Sequence, residues 1–333
     1  MKKILLIICL LLLVGCVDNT FKNLGYSEEE ETLIRTLKEE NQELFKQGYN
    51  EKDLLIISNP NFREEMFAQY HKYIDGIDID KAMAMINTGE LNNTNYEMIR
   101  GIYNDPCYVE KNEKLYFDYM NDFKDARTLL EFVNTKKYIP DYEKVQETDT
   151  SKGYHMLLNK HYYLSDKYIP EDLVLMDAVY GMSGAYIRKD AYEAYKKMYD
   201  AALADGYVLK VVSAYRSYMT QYYTYNNFLT KDPVEVVDTY SARPGFSEHQ
   251  TGLALDVITP GTNFNTFQYS EAAKWLEENC YKFGFIIRYP ADKTDITRYK
   301  YEAWHVRFVD DIAEDVYKSG LTYDEYYAAY IDN

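Results

Sequence analysis

The chain has 333 residues, and 47% of them are hydrophobic, which is enough for one large domain or two modest ones. Its formal net charge of −17 at pH 7 argues against nucleic acid as a partner and against a polybasic contact with a membrane. Tyrosine is frequent, with 37 residues, and most of these side chains are expected to pack helices with their hydroxyl groups toward water.

The first 15 residues are predicted to be a signal peptide rather than part of a fold. Two lysines precede an apolar run over residues 4–14, which is too short to span a bilayer comfortably and is typical of a secretory signal. The run ends in LVGC at residues 13–16, which resembles the bacterial lipobox, although an ordinary signal with an incidental cysteine is the alternative. We therefore expect a lipid on Cys16, a tether over residues 16–26, and an extracytoplasmic protein anchored to the outer face of the cell membrane.

Residues 27–150 are predicted to form an all-α N-terminal domain. Ser27 and Glu30 have the spacing of a capping box that opens a helix. Two Tyr-rich segments, residues 67–88 and 116–135, share an Ile/Val-Asn-Thr ending, which would suit two stacked helix-turn-helix units or be a coincidence. The role of this domain, including whether it binds a protein partner, stays open.

A second domain is predicted over residues 151–333. The composition changes to polar, turn-forming residues at 147–153, and after that point strand-like runs alternate with helices without a regular βαβ repeat. This pattern predicts an α+β fold with a small mixed or antiparallel sheet flanked by helices. Export would permit a disulfide between Cys107 and Cys280, but free buried thiols are expected.

The stretch SEHQTGLALD, residues 247–256, places one of five histidines close to a carboxylate. In a strand over residues 253–258, alternate apolar side chains would enter a core while Asp256 points to the opposite face. Gly252 lets the chain turn, so that His249 can fold back toward Asp256, either as a hydrogen-bonded pair or as two metal ligands. A catalytic zinc site requires a third protein ligand and an open position for water.

His305 is the best candidate for the third ligand, because Glu302 precedes it by three residues in EAWHVRF. Water on a catalytic zinc has a pKa of roughly 7 and needs a carboxylate nearby to take its proton, which Glu302 could provide. Trp304 would then pack into the core on the strand face away from His305. The three other histidines are interpreted as structural or surface residues: His71, His155 and His161.

Arg216, in SAYRSYMTQ, falls where a predicted strand ends and a helix begins. Helix N-termini favour anions, and a guanidinium group can clamp a carboxylate with two hydrogen bonds. A carboxypeptidase needs such a clamp for the free C-terminus of its substrate or for the oxyanion that develops. A surface salt bridge is the alternative for a single arginine of this kind.

In combination, these motifs resemble those of the VanY-type D-alanyl-D-alanine carboxypeptidases, zinc peptidases with a Ser-x-His-x-x-Gly-x-Ala-x-Asp motif and a later Glu-x-x-His. SEHQTGLALD fills every defined position of the first motif, and Glu302 and His305 fill the second. The resemblance covers roughly residues 154–333 and leaves residues 24–146 outside it. One small departure is Ala303, where proline is common in the family, and it should not disturb the ligands.

The resemblance implies one Zn²⁺ per chain with three protein ligands, His249, Asp256 and His305. It implies that Glu302 is the general base and that Arg216 polarises the scissile carbonyl group and stabilises the oxyanion. Gln221 and Ser247 match positions that line the substrate pocket in similar enzymes.

The implied function is zinc-dependent removal of the C-terminal D-alanine from peptidoglycan stem peptides at the outer face of the membrane. The lipobox fits this function, because stem peptides lie outside the membrane. L,D-carboxypeptidase or peptidoglycan endopeptidase activity on the same fold is the close alternative, since selectivity depends on pocket shape. A non-catalytic wall-binding lipoprotein is disfavoured by the complete ligand set with Glu302, and a solute-binding lipoprotein predicts no metal.

Overall fold

The computed structural model describes residues 20–332, so the predicted signal peptide and Cys16 lie outside the described residues. By packing, the chain divides into two compact units, with the division between Asn104 and Asp105. Across residues 20–332, no helix combines the length and the apolar character needed to cross a membrane.

The first unit is helical, which confirms the all-α prediction for this region. Its α-helices within residues 20–104 are α1 (Thr20–Asn23), α2 (Glu28–Ile34), α3 (Glu39–Phe45), α4 (Glu51–Ser58), α5 (Phe67–Tyr73), α6 (Ile79–Thr88) and α7 (Tyr96–Asn104), with a 3₁₀ turn at Glu64–Met66. The predicted capping box is present at α2: the Ser27 hydroxyl accepts the backbone N–H of Glu30, and the Glu30 carboxylate accepts the backbone N–H of Ser27. The capping box therefore fixes where this helix begins.

The second unit carries the strands and the remaining helices. Its α-helices are α8 (Glu113–Tyr119), α9 (Ala126–Asn134), α10 (Lys189–Ala204), α11 (Tyr218–Leu229), α12 (Val234–Val237), α13 (Phe264–Phe267), α14 (Glu271–Asn279), α15 (Thr294–Thr297), α16 (Ala313–Ser319) and α17 (Tyr323–Tyr326). Its strands are β1 (Gln146–Glu147), β2 (Tyr162–Tyr163), β3 (Leu173–Leu175), β4 (Tyr186–Arg188), β5 (Lys210–Ser213), β6 (Ala254–Ile258), β7 (Phe285–Ile287) and β8 (His305–Phe308). Shorter 3₁₀ turns lie at Glu110–Asn112, Met120–Asp122, Thr150–His155, Glu248–Thr251, Cys280–Phe283, Ala291–Lys293 and Asp310–Ile312, and Tyr327–Ile331 forms a π-helical turn.

Residues 105–150 belong to the second unit and contact the rest of it. Arg127 Nη2, on α9, donates to Glu325 Oε1 at 2.7 Å, and Arg298 Nη2 donates to the Lys136 carbonyl oxygen at 3.0 Å. The division by packing therefore comes earlier in the chain than the change in composition at residues 147–153. The predicted boundary between residues 150 and 151 is a statement about which parts fold independently. It stays a prediction.

A four-stranded sheet with the strand order β5-β6-β8-β7 lies in the second unit, and each neighbouring pair is antiparallel. In β6, Leu255 and Val257 are fully buried in the apolar core beneath the sheet, as alternation predicts, and Asp256 points to the other face. The small antiparallel sheet with flanking helices confirms the α+β prediction. Cys280 lies in this core, and both it and Cys107 are free, buried thiols.

The register of the sheet brings two of the predicted ligands together. Asp256 on β6 lies directly opposite His305 on β8. On the other side of β6, Ser213 of β5 is also paired with Asp256, after an irregularity in the register between Val211 and Ser213. Directly opposite residues in an antiparallel pair project from the same face, so the sheet itself aligns the two ligands.

Gly252 ends the 3₁₀ turn that precedes β6, and its φ of 67° is in the left-handed region that favours glycine. A Cβ atom at this position would also lie 2.9 Å from Cδ2 of Leu173 and 3.0 Å from Cγ of Arg188. Glycine therefore allows the tight reversal that brings His249 back to the face of the sheet on which Asp256 lies.

Candidate metal centre

The ligand atoms of His249, Asp256 and His305 all lie within 4.8 Å of one another, and all three residues are buried. His249 Nε2 is 3.2 Å from Asp256 Oδ2, and His305 Nδ1 is 3.1 Å from Asp256 Oδ1. Two atoms that each lie about 2.1 Å from one tetrahedral zinc ion are about 3.4 Å apart. The donor types and their spacing therefore fit a divalent cation such as Zn²⁺.

Hydrogen bonds on the outer nitrogens orient both imidazole rings. His249 Nδ1 lies 2.8 Å from the Ala214 carbonyl oxygen, which can only accept, so Nδ1 donates its proton and Nε2 is free to face Asp256. His305 Nε2 lies 3.3 Å from Glu248 Oε2, which leaves Nδ1 facing the cluster. Each ring can thus present an unprotonated nitrogen to the same point, as metal-bound histidines do.

The charges around the cluster favour a positive charge at its centre. Burial alone would lower the pKa of His305, but hydrogen bonds to Asp256 and Glu248 raise it to about 9. Burial alone would raise the pKa of Asp256, but His249 and His305 hold it well below its usual range. Burial lowers the pKa of His249, which keeps that ring neutral. A metal cation requires a carboxylate, a neutral imidazole and a position that favours positive charge. The cluster provides all three.

Glu302 lies beside the cluster, with its Oε2 3.7 Å from His305 Nδ1. Burial is the main cause that raises the pKa of Glu302 to about 8; the charge of Asp256 adds to the rise, and that of His305 opposes it. A carboxyl group that titrates near neutral pH can both accept and return a proton. Glu302 therefore has the position and the pKa of a general acid–base group.

Arg216 lies in the loop between β5 and α11, at the position that the sequence predicts. Its Nη1 donates to Gln221 Oε1 at 2.6 Å, its Nη2 donates to Ser213 Oγ at 2.8 Å, and Nη2 is 3.9 Å from Asp256 Oδ2. Gln221 is itself fixed, because its Nε2 donates to the Ala242 carbonyl oxygen at 2.7 Å. Burial lowers the pKa of Arg216, yet a guanidinium group stays protonated in proteins. The result is a fixed positive group beside the cluster.

A cavity of about 690 Å³ opens over the cluster. Its lining contains all the site residues predicted within the described chain: Arg216, Gln221, Ser247, His249, Asp256, Glu302 and His305. Aromatic side chains form much of the remaining wall: Phe228, Tyr240, Phe264, Tyr289, Tyr299, Tyr301 and Trp304. A concave cavity that combines convergent polar and charged groups with aromatic side chains suits a small organic ligand or a short peptide.

The prediction for Trp304 is confirmed only in part: the side chain packs against the core, but it does not lie on the face away from His305. Its ring lines the cavity and packs against Phe264, with 4.9 Å between the ring centroids, although part of it also contacts the core. β8 begins only at His305, so Trp304 precedes the strand and does not follow its alternation. Trp304 therefore contributes to the wall of the cavity.

Glu248 is a site residue that the sequence did not indicate. It is fully buried, and its Oε1 accepts from Arg288 Nε at 2.8 Å and from Arg307 Nη1 at 2.9 Å. Burial alone would raise the pKa of Glu248, but the two arginines hold it well below its usual range. The sequence showed only that a charged residue, Glu248, stands next to the predicted ligand His249. The arginines that pair with Glu248 are distant in sequence, so they could not be inferred.

The three histidines outside the cluster have other partners in the described chain. They pair as His71 with Asp53, His155 with Asp311, and His161 with Arg298. These contacts agree with the interpretation of His155 and His161 as structural residues, and the His71 side chain is 41% exposed, as the interpretation of a surface histidine expects.

Comparison with known proteins indicates one family. The profile of the family described as VanY, D-alanyl-D-alanine carboxypeptidase, matches residues 184–311, which include the whole cluster, Arg216 and Glu302. YodJ of Bacillus subtilis (strain 168), which is named as a carboxypeptidase, is 40% identical over 208 residues, or 59% of this chain and 76% of YodJ. A D-alanyl-D-alanine carboxypeptidase of Enterococcus faecium is 30% identical over 214 residues, or 58% of this chain and 67% of that protein.

Among solved structures, the LdcB LD-carboxypeptidase, which was described for its recognition of peptidoglycan, is similar to this chain with a TM-score of 0.52 and 39% identity. The similarity covers 57% of this chain and 92% of LdcB.

Proposed function

We propose, from the premise that this chain belongs to the VanY family of D-alanyl-D-alanine carboxypeptidases, that it is a zinc peptidase acting on peptidoglycan stem peptides. Membership of this family makes the chain a carboxypeptidase, and hence a hydrolase of peptide bonds. The reaction that we propose is removal of the C-terminal D-alanine from a stem peptide. The observation that carries the proposal is the convergence of His249, Asp256 and His305 beside Glu302 in one cavity.

Three side chains would hold one Zn²⁺ per chain: His249 through Nε2, Asp256 through its carboxylate, and His305 through Nδ1. Zinc bound there supplies Lewis acidity, which polarises a carbonyl group and lowers the pKa of water to roughly 7. Three protein ligands are the number found in catalytic sites, whereas structural sites use four.

Glu302 is the proton carrier of the proposed reaction. Its carboxylate accepts a proton from the attacking water and returns one to the nitrogen of the departing D-alanine, so the protons balance. A raised pKa of about 8 suits both steps near neutral pH, because neither protonation state is strongly disfavoured.

Arg216 orients the substrate. Its guanidinium group donates to the oxygen of the scissile carbonyl group as negative charge develops there, and it is held in place beforehand by Gln221 and Ser213. Gln221 and Ser247 line the same cavity, and we propose that they contact the terminal residues of the substrate.

L,D-carboxypeptidase activity is the second candidate, and the similarity to the LdcB LD-carboxypeptidase favours it. The same ligands and the same base would serve both reactions, which differ in the configuration of the residue before the cleaved bond. A non-catalytic wall-binding role would give no function to the buried Glu302 with its raised pKa.

We also propose that a lipid on Cys16 anchors the protein to the outer face of the cell membrane. The support is the LVGC sequence at residues 13–16 and the fact that stem peptides lie on that side of the membrane. Residues 20–104 would then act as a spacer or bind a protein partner. Labelling of cells with a radioactive fatty acid should mark the wild-type protein and leave Cys16→Ser unlabelled, and equal labelling would contradict the proposal.

The function is tested with purified protein and two defined substrates, a stem pentapeptide ending in D-Ala-D-Ala and the corresponding tetrapeptide. We expect loss of one D-alanine from the pentapeptide, abolished by a chelator and restored by Zn²⁺. Release from the tetrapeptide alone would assign the L,D activity, and cleavage within a cross-linked dimer would assign an endopeptidase. A zinc-loaded protein that cleaves none of them would contradict the peptidase proposal.

A further inference from the structure

We propose that Glu248 is a positioning residue of the metal centre, which holds His305 in the ring orientation and tautomer that present Nδ1 to the metal. The inference rests on the proposed zinc function, but it concerns a residue outside the ligand set and outside the proton transfer. Its basis is the arrangement of buried charges behind the His305 ring.

His305 is held at both ring nitrogens. Its Nδ1 faces Asp256 Oδ1 at 3.1 Å, and its Nε2 faces Glu248 Oε2 at 3.3 Å. The ring of Tyr289 packs against it, with 5.0 Å between the centroids. When Nε2–H donates to Glu248, Nδ1 keeps its lone pair, and the carboxylate makes that nitrogen a better ligand.

Glu248 is in turn fixed by two arginines. Its Oε1 accepts from Arg288 Nε and from Arg307 Nη1, and all three side chains are fully buried. Arg307 lies two residues after His305 on β8, so both side chains leave the same face of the strand. One carboxylate oxygen is thus committed to the arginines, and the other is left for His305.

The network also contains a second carboxylate that does not contact His305. Arg288 Nη1 donates to Asp324 Oδ2 at 2.6 Å, and Asn159 Nδ2 donates to Asp324 Oδ1 at 2.8 Å. Two guanidinium groups and two carboxylates therefore balance in charge. Asp324 provides a matched control, because its neutralisation disturbs the same charge balance at a site away from the ring.

Glu248→Gln would invert the hydrogen bond to the ring. The two charged arginines require an oxygen atom in front of them, so the amide oxygen would turn toward Arg288 and Arg307. The amide N–H₂ group would then face His305 Nε2, which would have to accept. The ring proton would move to Nδ1, the nitrogen that the metal needs.

The experiment compares zinc affinity, by competition with a chelating dye, in wild type, Glu248→Gln and Asp324→Asn, and records the absorption spectrum of each protein loaded with Co²⁺. We expect zinc binding about 10–100-fold weaker and a changed Co²⁺ spectrum in Glu248→Gln. In Asp324→Asn we expect the wild-type affinity and spectrum. Wild-type zinc binding and spectrum in Glu248→Gln, or equal weakening in both variants, would overturn the inference.

A measurement on the wild-type protein covers the case in which Glu248→Gln does not fold. Nitrogen-15 NMR of the histidine rings in the zinc-loaded protein should show the proton of His305 on Nε2 and that of His249 on Nδ1. A proton on Nδ1 of His305 would overturn the inference and leave the peptidase proposal standing. A wild-type protein that binds no zinc would overturn both.

Discussion

Asp256 and His305 are direct partners across the antiparallel strands β6 and β8, and His305 Nδ1 lies 3.1 Å from Asp256 Oδ1. Directly opposite residues in such a pair have Cβ atoms about 4.5–5.5 Å apart, so the register of the sheet aligns two of the three residues of the candidate metal centre. His249 comes from the turn before β6 and completes it. Backbone pairing therefore sets two of the three proposed ligands, and a turn supplies the third.

Glu302→Gln should keep the zinc and lose turnover, because an amide of nearly the same shape cannot accept a proton. We expect a decrease in kcat of about 10²–10⁴-fold, the usual contribution of a general acid–base group. D-alanine release and metal content are measured on the same samples. Glu131→Gln is the control, since burial also raises the pKa of Glu131 and that residue does not line the cavity. Wild-type turnover in zinc-loaded Glu302→Gln would show that another group carries the proton.

His305→Ala should lose its tightly bound zinc, since two protein ligands hold zinc far less strongly than three. Metal analysis after gel filtration gives the stoichiometry. His155→Ala is the matched control, because His155 pairs with the exposed Asp311 and lies outside the cluster. Unchanged zinc content in His305→Ala would exclude His305 as a ligand.

Arg216→Lys should lower kcat/KM by about 10²–10³-fold without changing the zinc content. An ammonium group cannot keep the bonds to Gln221 and Ser213 and also reach the oxyanion. Steady-state kinetics on the pentapeptide measures the loss. Arg188→Lys is the control, since Arg188 pairs with Asp172 and does not line the cavity. If both variants have the same kcat/KM, Arg216 has no special contact with the reacting group.

Gly252→Ala should lower the free energy of unfolding by more than the roughly 1–2 kcal/mol that a left-handed backbone costs an alanine. The excess comes from contacts of the new Cβ with Leu173 and Arg188. Gly261→Ala isolates the backbone part, because Gly261 also has a positive φ and no atom within 4 Å of the added Cβ. Urea unfolding of both variants gives the difference, and equal losses would mean that the neighbouring side chains move aside freely.

His161 should make stability depend on pH. Burial, and then the charge of Arg298, lowers the pKa of this ring from its ordinary value of 6.5, so the folded state favours the neutral form. The unfolded state binds the proton first as pH falls, and the contribution is therefore present above pH 6.5 and lost as pH falls through the folded pKa. Wild type should lose up to about 1.4 kcal/mol per pH unit relative to His161→Gln in that range. Parallel stability curves for the two proteins would refute this effect.

The α+β class, the strand β6 and the cluster could be predicted because their signals are local. Alternation in GLALDVI identified β6 and the face on which Asp256 lies, and a glycine marked the turn that returns His249. The same reasoning was only partly right at Trp304, which packs against the core but also lines the cavity, because alternation applies only from the first residue of β8 and that start cannot be read from the sequence.

The role of Glu248 could not be predicted because its environment is built from distant segments. Arg288 and Arg307 follow it by 40 and 59 residues and belong to the region of β7 and β8. In the sequence, nothing distinguishes a glutamate that will be buried next to a ligand from any other glutamate. The difference becomes visible only when the partners that neutralise its charge are known.

The ion pair between Arg127 and Glu325 limits where the enzyme can be cut for expression. Glu325 is almost fully buried, and its Oε1 accepts from Arg127 Nη2 at 2.7 Å. A recombinant fragment that started at residue 151 would lack Arg127 and would leave the Glu325 carboxylate without this partner. A fragment that starts at Asp105 keeps the pair. It is shorter than the full chain and is the form to choose for crystallisation.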